Sequence, residues 1–176
     1  RDLPVYATDG DEESVAEEVR DTFDYLDALD VRGVTPFESF TAAGFDVRLV
    51  PVDHPPLPCY GVAIEGPSGE KLSISGDTSY ALPAASRDAL RDPDLLIADG
   101  IVHADFCEHH PAGGDHPDDD GVPRTFGTKH MTFSGARALA DDLDAKRYRI
   151  VHVSHYPPAE VAFGDDLAVD GEQYSL

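Results

Sequence analysis

The alternation of apolar and polar positions predicts a mixed α/β chain. Apolar residues recur at helical spacing over 11–29, and acidic residues in the first turn suit a helix N-terminus. Over 45–49 apolar and polar residues alternate instead, which predicts a strand with one covered face. Two more strands are predicted around Val62 and Leu72, joined by a hairpin turn at Ser68-Gly69.

The second half of the chain continues this alternation of strands and helices. The continuous apolar run 95–98 predicts a strand that is covered on both faces. Thr132 is the predicted N-cap of a helix over 132–143. No repeat or long linker divides the chain, so we expect a single domain over 1–176. The other predicted elements are strands at 3–7, 148–153 and 167–169 and a short helix at 82–90.

The segment 102–130 matches neither pattern. It is rich in Gly and Pro, and long loops inside compact domains are usually functional or mobile. Metal-binding side chains crowd into it, and such clusters can bind metal, but no pair has the spacing of a known zinc motif. We therefore favour a solvated acidic loop near the mouth of an active site over a second metal site. The side chains concerned are His103, Asp105, Cys107, His109, His110, Asp115 and His116.

Charge narrows the class of protein. The chain has 35 acidic and 13 basic residues, a formal net charge of -22. Because salt screens repulsion between surface carboxylates, we favour a halophilic protein over a merely acidic one. A basic footprint for nucleic acid is missing, and no stretch approaches the ~20 apolar residues of a membrane span. Cys59 and Cys107, far apart in the chain, fit reduced thiols and a cytoplasmic location.

Three predicted strands end near residues that bind metals. His54 follows one strand, Asp77 follows the strand that contains Leu72, and His152 lies near the end of the strand at 148–153. Imidazole and carboxylate are ligands that zinc accepts. The alternative is structural, because a lone histidine is often a hydrogen-bonded core residue and an aspartate in a Gly-Asp-Thr turn often caps its own backbone.

Four short motifs, in order, resemble the metallo-β-lactamase superfamily. Ser75-Gly76-Asp77-Thr78 resembles its Gly-Asp-Thr motif, and Val52-Asp53-His54 is similar to the segment that supplies the histidine upstream of it. Lys129-His130-Met131-Thr132 resembles the His-x-Thr motif of the phosphodiesterase branch, which includes RNase Z and cyclic phosphodiesterases. His152-Val153-Ser154 resembles the final His-x-Ser motif of that branch. The resemblance covers nearly the whole chain from Leu3 onward.

The resemblance implies roles for individual residues. His54 would bind one zinc ion, Asp77 would bridge two, and His152 would bind the second, with manganese as an alternative metal. His130 would not bind metal but would contact the phosphate or protonate the leaving oxygen. His155 and Thr78 are further candidates for supporting the ligands or for touching the substrate. For His155, a surface position without such a role is an equal alternative.

The resemblance also implies a fold and shows a departure from it. The expected fold class is α/β, a four-layer αββα sandwich that here lacks part of its N-terminal half. The H-x-H-x-D-H motif of the family, which supplies most of the metal ligands, is absent from this sequence. We therefore expect that residues are missing before Arg1 and that the chain is inactive alone.

The implied activity is that of a zinc-dependent phosphodiesterase. We expect a small or cyclic nucleotide-like phosphodiester as substrate, because the acidic surface disfavours nucleic acid. The open alternatives are an RNase Z-like tRNA endonuclease, a lactonase or thioesterase on the same fold, and a non-catalytic binding module. We expect no membrane partner, and a homodimer is left open as the oligomeric state.

Overall fold

The computed structural model describes residues 3–10, 14–109, 115–156, 158–162 and 164–176. They form strands, α-helices and a 3₁₀ helix. In chain order the elements are β1 (Leu3–Thr8), α1 (Val15–Thr22), β2 (Leu29–Val34), β3 (Ser39–Ala42), β4 (Phe45–Val52), β5 (Cys59–Glu65), β6 (Lys71–Ile74), α2 (Ala84–Leu90), β7 (Leu95–Asp99), a 3₁₀ helix (Ala104–His109), β8 (Asp115–Pro117), β9 (Pro123–Phe126), β10 (His130–Met131), α3 (Phe133–Asp142), β11 (Tyr148–Val151) and α4 (Ala159–Ala162).

A six-stranded mixed sheet with the order β11-β7-β6-β5-β4-β3 organises the molecule. Strand β7 is parallel to both of its neighbours, β11 and β6. The pairs β6-β5, β5-β4 and β4-β3 are antiparallel. Strands β4, β6, β7 and β11 therefore all run in the same direction, and their carboxyl ends meet one edge of the sheet. Two smaller sheets lie beside it, the parallel pair β1-β2 and the three-stranded β10-β9-β8.

Helices α2 and α3 cover one face of the large sheet. Phe133, Leu139 and Leu143 of the α3 region join Leu96 of β7 and Ile150 of β11 in the main hydrophobic core. Burying such side chains contributes about 1.5–3 kcal/mol each. The predicted N-cap is confirmed, because the Thr132 side chain accepts a hydrogen bond from the backbone N–H of Gly135 at 3.0 Å.

The predicted helix over 11–29 is too long. Helix α1 ends at Thr22, and Leu29 begins β2, which pairs in parallel with β1 from Leu3 onward. The apolar residues after Thr22 keep helical spacing by sequence, but strand pairing with β1 determines the backbone there. Residues 11–13 of the predicted helix lie outside the described residues.

The segment 102–130 is more regular than the sequence indicates. It contains the 3₁₀ helix, β8, β9 and β10, with residues 110–114 outside the described part. The turns between these short strands have positive φ angles at Gly121, Gly127 and Thr128. Such turns interrupt the alternation of apolar and polar residues by which strands are recognised in a sequence. The expected closing strand at 167–169 is also wrong, because only a single bridge forms there, between Leu167 and Ile150.

No helix among the described residues is long and apolar enough to cross a lipid bilayer.

Candidate metal centre

Five acidic or histidine side chains come from the carboxyl edge of the large sheet and the strand beside it. His54 follows β4, Asp77 follows β6, Asp99 ends β7 and His152 follows β11. His130 begins β10 in the neighbouring sheet. The carboxyl edge of parallel strands is where α/β folds place their ligands. Within the described residues, one ligand atom each of Asp77, Asp99, His130 and His152 lies within 4.8 Å of all the others.

Asp99 is the centre of this group. One carboxylate oxygen lies 2.9 Å from Nδ1 of His152 and the other 3.1 Å from Nδ1 of His130. The second oxygen also accepts backbone N–H bonds from Thr78 and Met131, both at 3.2 Å. With Asp99 ionised, each imidazole donates its Nδ1–H to the carboxylate and keeps the Nε2 lone pair free for another partner.

The electrostatics of the group favour the ionised pair of Asp99 and His152. Burial opposes the charge on Asp99, which is 1% exposed, but the hydrogen bonds from His130 and His152 outweigh it and hold the pKa of Asp99 below its usual range. The hydrogen bond to Asp99 raises the pKa of His152, against partial burial and with help from the charges of Asp99 and Asp77.

Asp77 lies next to His152, with 3.4 Å between its Oδ1 and Nδ1 of the histidine. Its position depends on Gly76, which has a φ of 63° and passes close to β5. A Cβ on Gly76 would lie 2.6 Å from the carbonyl oxygen of Tyr60, closer than real Cβ contacts. The Asp77 side chain remains about half exposed, so it is accessible to a ligand from solvent.

His152 has a left-handed backbone, with a φ of 67°. This conformation is uncommon for a residue other than glycine, and such residues cluster at functional sites. It turns the chain directly after β11, and the ring contacts Asp99 and Asp77 from there.

His54 lies beside the four-residue group. Its ring centroid is 5.0 Å from that of His130, which is in turn 4.9 Å from that of His152. The Nδ1 atom of His54 is buried and has no hydrogen-bond partner. Buried polar atoms are rarely left unsatisfied, so this nitrogen is suited to a ligand.

The two other candidate residues are in different positions. Thr78 is fully buried, and its backbone N–H donates to Asp99, so its contact is with the group and not with solvent. His155 is exposed, and its ring lies tilted against that of Tyr156 with 4.2 Å between the ring centroids. The structure thus brings His54, Asp77, His130 and His152 together and places His155 outside the group.

The described side chains of residues 103–116, the histidine-rich segment, lie outside this group. The ring of His103 packs edge-on against Phe133 and Phe106, and the Cys107 thiol is directed at the carbonyl oxygen of His103. None of the described side chains of residues 103–116 joins a metal-binding cluster. His110 lies outside the described residues, and the side chains of His109, Asp115 and His116 are not described.

Sequence reasoning missed Asp99. The apolar run 95–98 by itself predicts only a strand of the core. The signal was available, because a carboxylate directly after a strand covered on both faces must find partners or leave the core. Since the strand runs parallel to the one before Asp77, its end meets the same edge of the sheet.

The donor set fits a divalent metal ion. Two carboxylates and two imidazoles within 4.8 Å offer oxygen and nitrogen atoms, and His54 adds a buried nitrogen without a partner. Zinc binds such donors at roughly 2.0–2.2 Å, and manganese accepts the carboxylates. The Nδ1 bonds to Asp99 are of the kind that fix the ring orientation of metal-binding histidines.

The chain is similar in sequence to one protein family and in fold to several solved structures. Residues 1–153 match the family described as the beta-lactamase superfamily domain. The metallo-β-lactamase fold protein YhfI from Bacillus subtilis is 21% identical, with a TM-score of 0.66 over 90% of this chain and 54% of that one. A diphosphatase of the PhnP family is 23% identical, with a TM-score of 0.66 over 98% and 57% of the two chains.

A third solved structure, the short form of human tRNase Z, is 17% identical, with a TM-score of 0.61 over 88% of this chain and 62% of that one. No curated protein sequence matches the chain. At these identities the solved structures show a shared fold, and this chain spans just over half of their length. The family and the fold together define the class: the chain belongs to the β-lactamase superfamily and has the α/β fold of its metallo-β-lactamase members.

Proposed function

We propose that the protein is a metal-dependent hydrolase that cleaves a small or cyclic nucleotide-like phosphodiester. The observation that carries the proposal is the position of His130, which Asp99 holds beside Asp77 and His152. Asp77, His152 and the neighbouring His54 would act as metal ligands, and His130 would act as a proton donor beside them. As the chain spans just over half of its structural relatives, we propose the activity for a site that further ligands complete.

The metal would be held by Asp77, His152 and His54, whose buried Nδ1 atom has no hydrogen-bond partner. A bound zinc ion lowers the pKa of a water and polarises a phosphoryl oxygen. The donor set also suits manganese.

His130 would move the proton. With Nδ1 bonded to Asp99, its Nε2 atom is the one available to protonate a leaving oxygen or to contact a phosphate. The ring is mostly buried, at 17% exposure, which limits its approach to groups that enter the site. The Asp99 carboxylate orients the imidazole, as a carboxylate beside a histidine does in general acid–base catalysis.

The preference for a small substrate rests on charge, because the cavity of about 600 Å³ beside His152 is not lined by Asp77, Asp99 or His130. The net charge of -22 disfavours a long polyanion. A tRNA substrate stays a second candidate because one relative with the same fold is a tRNase Z.

Hydrolysis assays at molar potassium chloride with zinc or manganese test the proposal. We expect little turnover from the 176 residues alone, and turnover of a chromogenic phosphodiester by a form extended at Arg1 with a segment that carries the H-x-H-x-D-H motif. A lactone and a thioester serve as competing substrates, and a pre-tRNA tests the endonuclease alternative.

The matched variants are His130→Ala and His155→Ala. We expect the first to lose phosphodiester turnover by about 10²–10⁴-fold and the second to keep most of it. If the extended form preferred the lactone or thioester, or if His130→Ala kept full phosphodiester turnover, the proposed reaction would be wrong.

A further inference from the structure

His54 is oriented differently from the other two histidines of the site. His130 and His152 each donate Nδ1–H to Asp99, which fixes the plane of the ring. Nδ1 of His54 has no hydrogen-bond partner, although it is buried. Its ring contacts His130 edge-on at 5.0 Å between centroids, and such a contact alone does not fix a rotamer. Another part of the molecule must hold His54 in place.

The residue before His54 is bound on both sides by the loop that follows β6. The backbone N–H of Asp53 donates to Thr78 Oγ1 at 3.1 Å, and the backbone N–H of Ser79 donates to the carbonyl oxygen of Asp53 at 2.8 Å. The Ser79 hydroxyl donates a hydrogen bond to the Asp53 carboxylate. Asp53 therefore has its N–H, its carbonyl and its side chain bonded to two consecutive residues.

This set of contacts, which we name the Asp53 clamp, consists of Asp53, Thr78 and Ser79. It is buried on the loop side, because Thr78 is 0% and Ser79 1% exposed. The Ser79 hydroxyl also accepts the N–H of Ala81 at 3.1 Å, so its own direction is fixed. Hydrogen bonds inside a buried network strengthen one another, which favours a single arrangement of the loop.

The clamp connects directly to Asp99. The N–H of Thr78 donates to the same Asp99 oxygen that lies near His130. Asp99, Thr78 and Asp53 thus form a continuous hydrogen-bonded path that ends at the backbone of His54. This path connects the backbone of His54 to the Asp99 carboxylate, which orients the rings of His130 and His152.

We infer that Asp53 and Ser79 are positioning residues that hold the His54 ring in the metal centre. The inference rests on the proposed metal site, in which His54 is a ligand. Neither residue touches the metal or the substrate; each acts through the backbone of His54. Removing an outer partner of a metal ligand costs about 10–100-fold in metal affinity, and we expect about 10-fold here because the backbone bonds to Asp53 remain.

Four variants test the inference. Ser79→Ala and Asp53→Ala remove the side-chain hydrogen bond of the clamp, whereas Asp53→Asn keeps an oxygen that accepts it. The control is Asp46→Ala, which removes a similar hydroxyl–carboxylate bond, from Thr41 at 3.3 Å, at the opposite end of β4. Thermal melts identify any variant that does not fold.

The first measurement needs no metal. Nuclear Overhauser contacts between the ring protons of His54 and His130 are recorded by NMR in the metal-free chain. We expect strong contacts in the parent chain, Asp53→Asn and Asp46→Ala, and weak or averaged contacts in Ser79→Ala and Asp53→Ala. Unchanged contacts in both alanine variants of the clamp would overturn the inference.

The second measurement is zinc affinity by calorimetry. We expect Ser79→Ala and Asp53→Ala to bind about 10-fold more weakly, with Asp53→Asn restored and Asp46→Ala unaffected. Equal affinity in all variants would show that the clamp does not act on the metal centre. If the parent chain bound no zinc, the proposed metal site would fail, whereas the NMR contacts would still decide whether the clamp positions His54.

Discussion

The two sides of the candidate metal centre are held by different means. On one side, the Asp99 carboxylate bonds directly to the rings of His130 and His152 and to two backbone N–H groups. On the other side, the ring of His54 has no such partner, and only the backbone before it is fixed, at Asp53. The rings of His130 and His152 are held directly by their own hydrogen bonds, whereas the ring of His54 is positioned only through its backbone and is restrained less strongly.

Because of this difference, we expect substitutions on the two sides to affect the metal centre to different extents. A change at Asp99 alters two rings at once, together with the buried N–H groups of Thr78 and Met131. A change at the Asp53 clamp alters one ring and leaves the Asp99 side in place. We therefore expect the largest effects at Asp99.

The largest expected effect follows from Asp99→Asn. An amide cannot accept hydrogen bonds from both imidazoles and both backbone groups, because one end of it carries only donors. We expect zinc affinity to fall by about 100-fold and the free energy of unfolding by about 1–3 kcal/mol. Calorimetry and urea denaturation measure the two effects, and Asp46→Asn is the surface control. An effect no larger than that of Ser79→Ala would remove the distinction between the two sides.

The second prediction concerns the turn that presents Asp77. Gly76→Ala adds a Cβ that meets the Tyr60 carbonyl oxygen at 2.6 Å, at a φ of 63°. Gly69→Ala is the matched control, because it also has a positive φ, of 88°, but open space around it. From urea denaturation we expect a loss of about 1–2 kcal/mol for the control and about 3 kcal/mol or more for Gly76→Ala. Equal losses of unfolding free energy in the two variants would show that the close approach of Gly76 to β5 does not add to the cost of the substitution.

The third prediction contrasts the buried site with the acidic surface. At ~0.01 M ionic strength the Debye length is about 30 Å, and at ~1 M it is about 3 Å, so repulsion between surface carboxylates fades with salt. We expect the melting temperature to rise steeply with potassium chloride up to about 1 M and more gently above it. The short contacts of Asp99 with His130 and His152 are shielded by burial and should change little. A melting temperature that stayed constant or fell as potassium chloride increased would contradict the prediction of a halophilic protein.

The smallest expected effect is a pH dependence from His152. Its folded pKa is raised by the bond to Asp99, so the ionised pair contributes stability at pH values below the unfolded pKa of about 6.5. That contribution is lost as the pH rises through the higher folded pKa. NMR titration of the metal-free chain should give a pKa for His152 above that of a free histidine, and a lower one in Asp99→Asn. An identical His152 titration in both proteins would show that Asp99 does not control the charge.

The large sheet could be predicted from sequence because its strands carry strong local patterns. Alternation at 45–49 and the apolar run at 95–98 correspond to β4 and β7, and Thr132 caps α3. The strand that begins at Leu29 could not be predicted, because its pairing with β1 is a tertiary contact that the helical spacing of the sequence conceals.

The site was predictable where motifs mark it and not where contacts define it. His54, Asp77, His130 and His152 lie in short motifs with recognisable neighbours. Asp99 has no motif, and its role arises only when β6, β7 and β11 align their ends. The contacts of Ser79 with Asp53 likewise join two loops that are distant in the chain, so no local pattern indicates them.

The most direct test of the account is a crystal structure of the chain after zinc soaking, with anomalous diffraction measured at the zinc edge. The account predicts an anomalous peak bounded by Asp77 and His152, with ligand atoms about 2.0–2.2 Å from it and His54 turned towards it. A peak only in the histidine-rich segment, or no peak at the Asp77 carboxylate at saturating zinc, would contradict the assignment of this edge of the sheet as a metal centre.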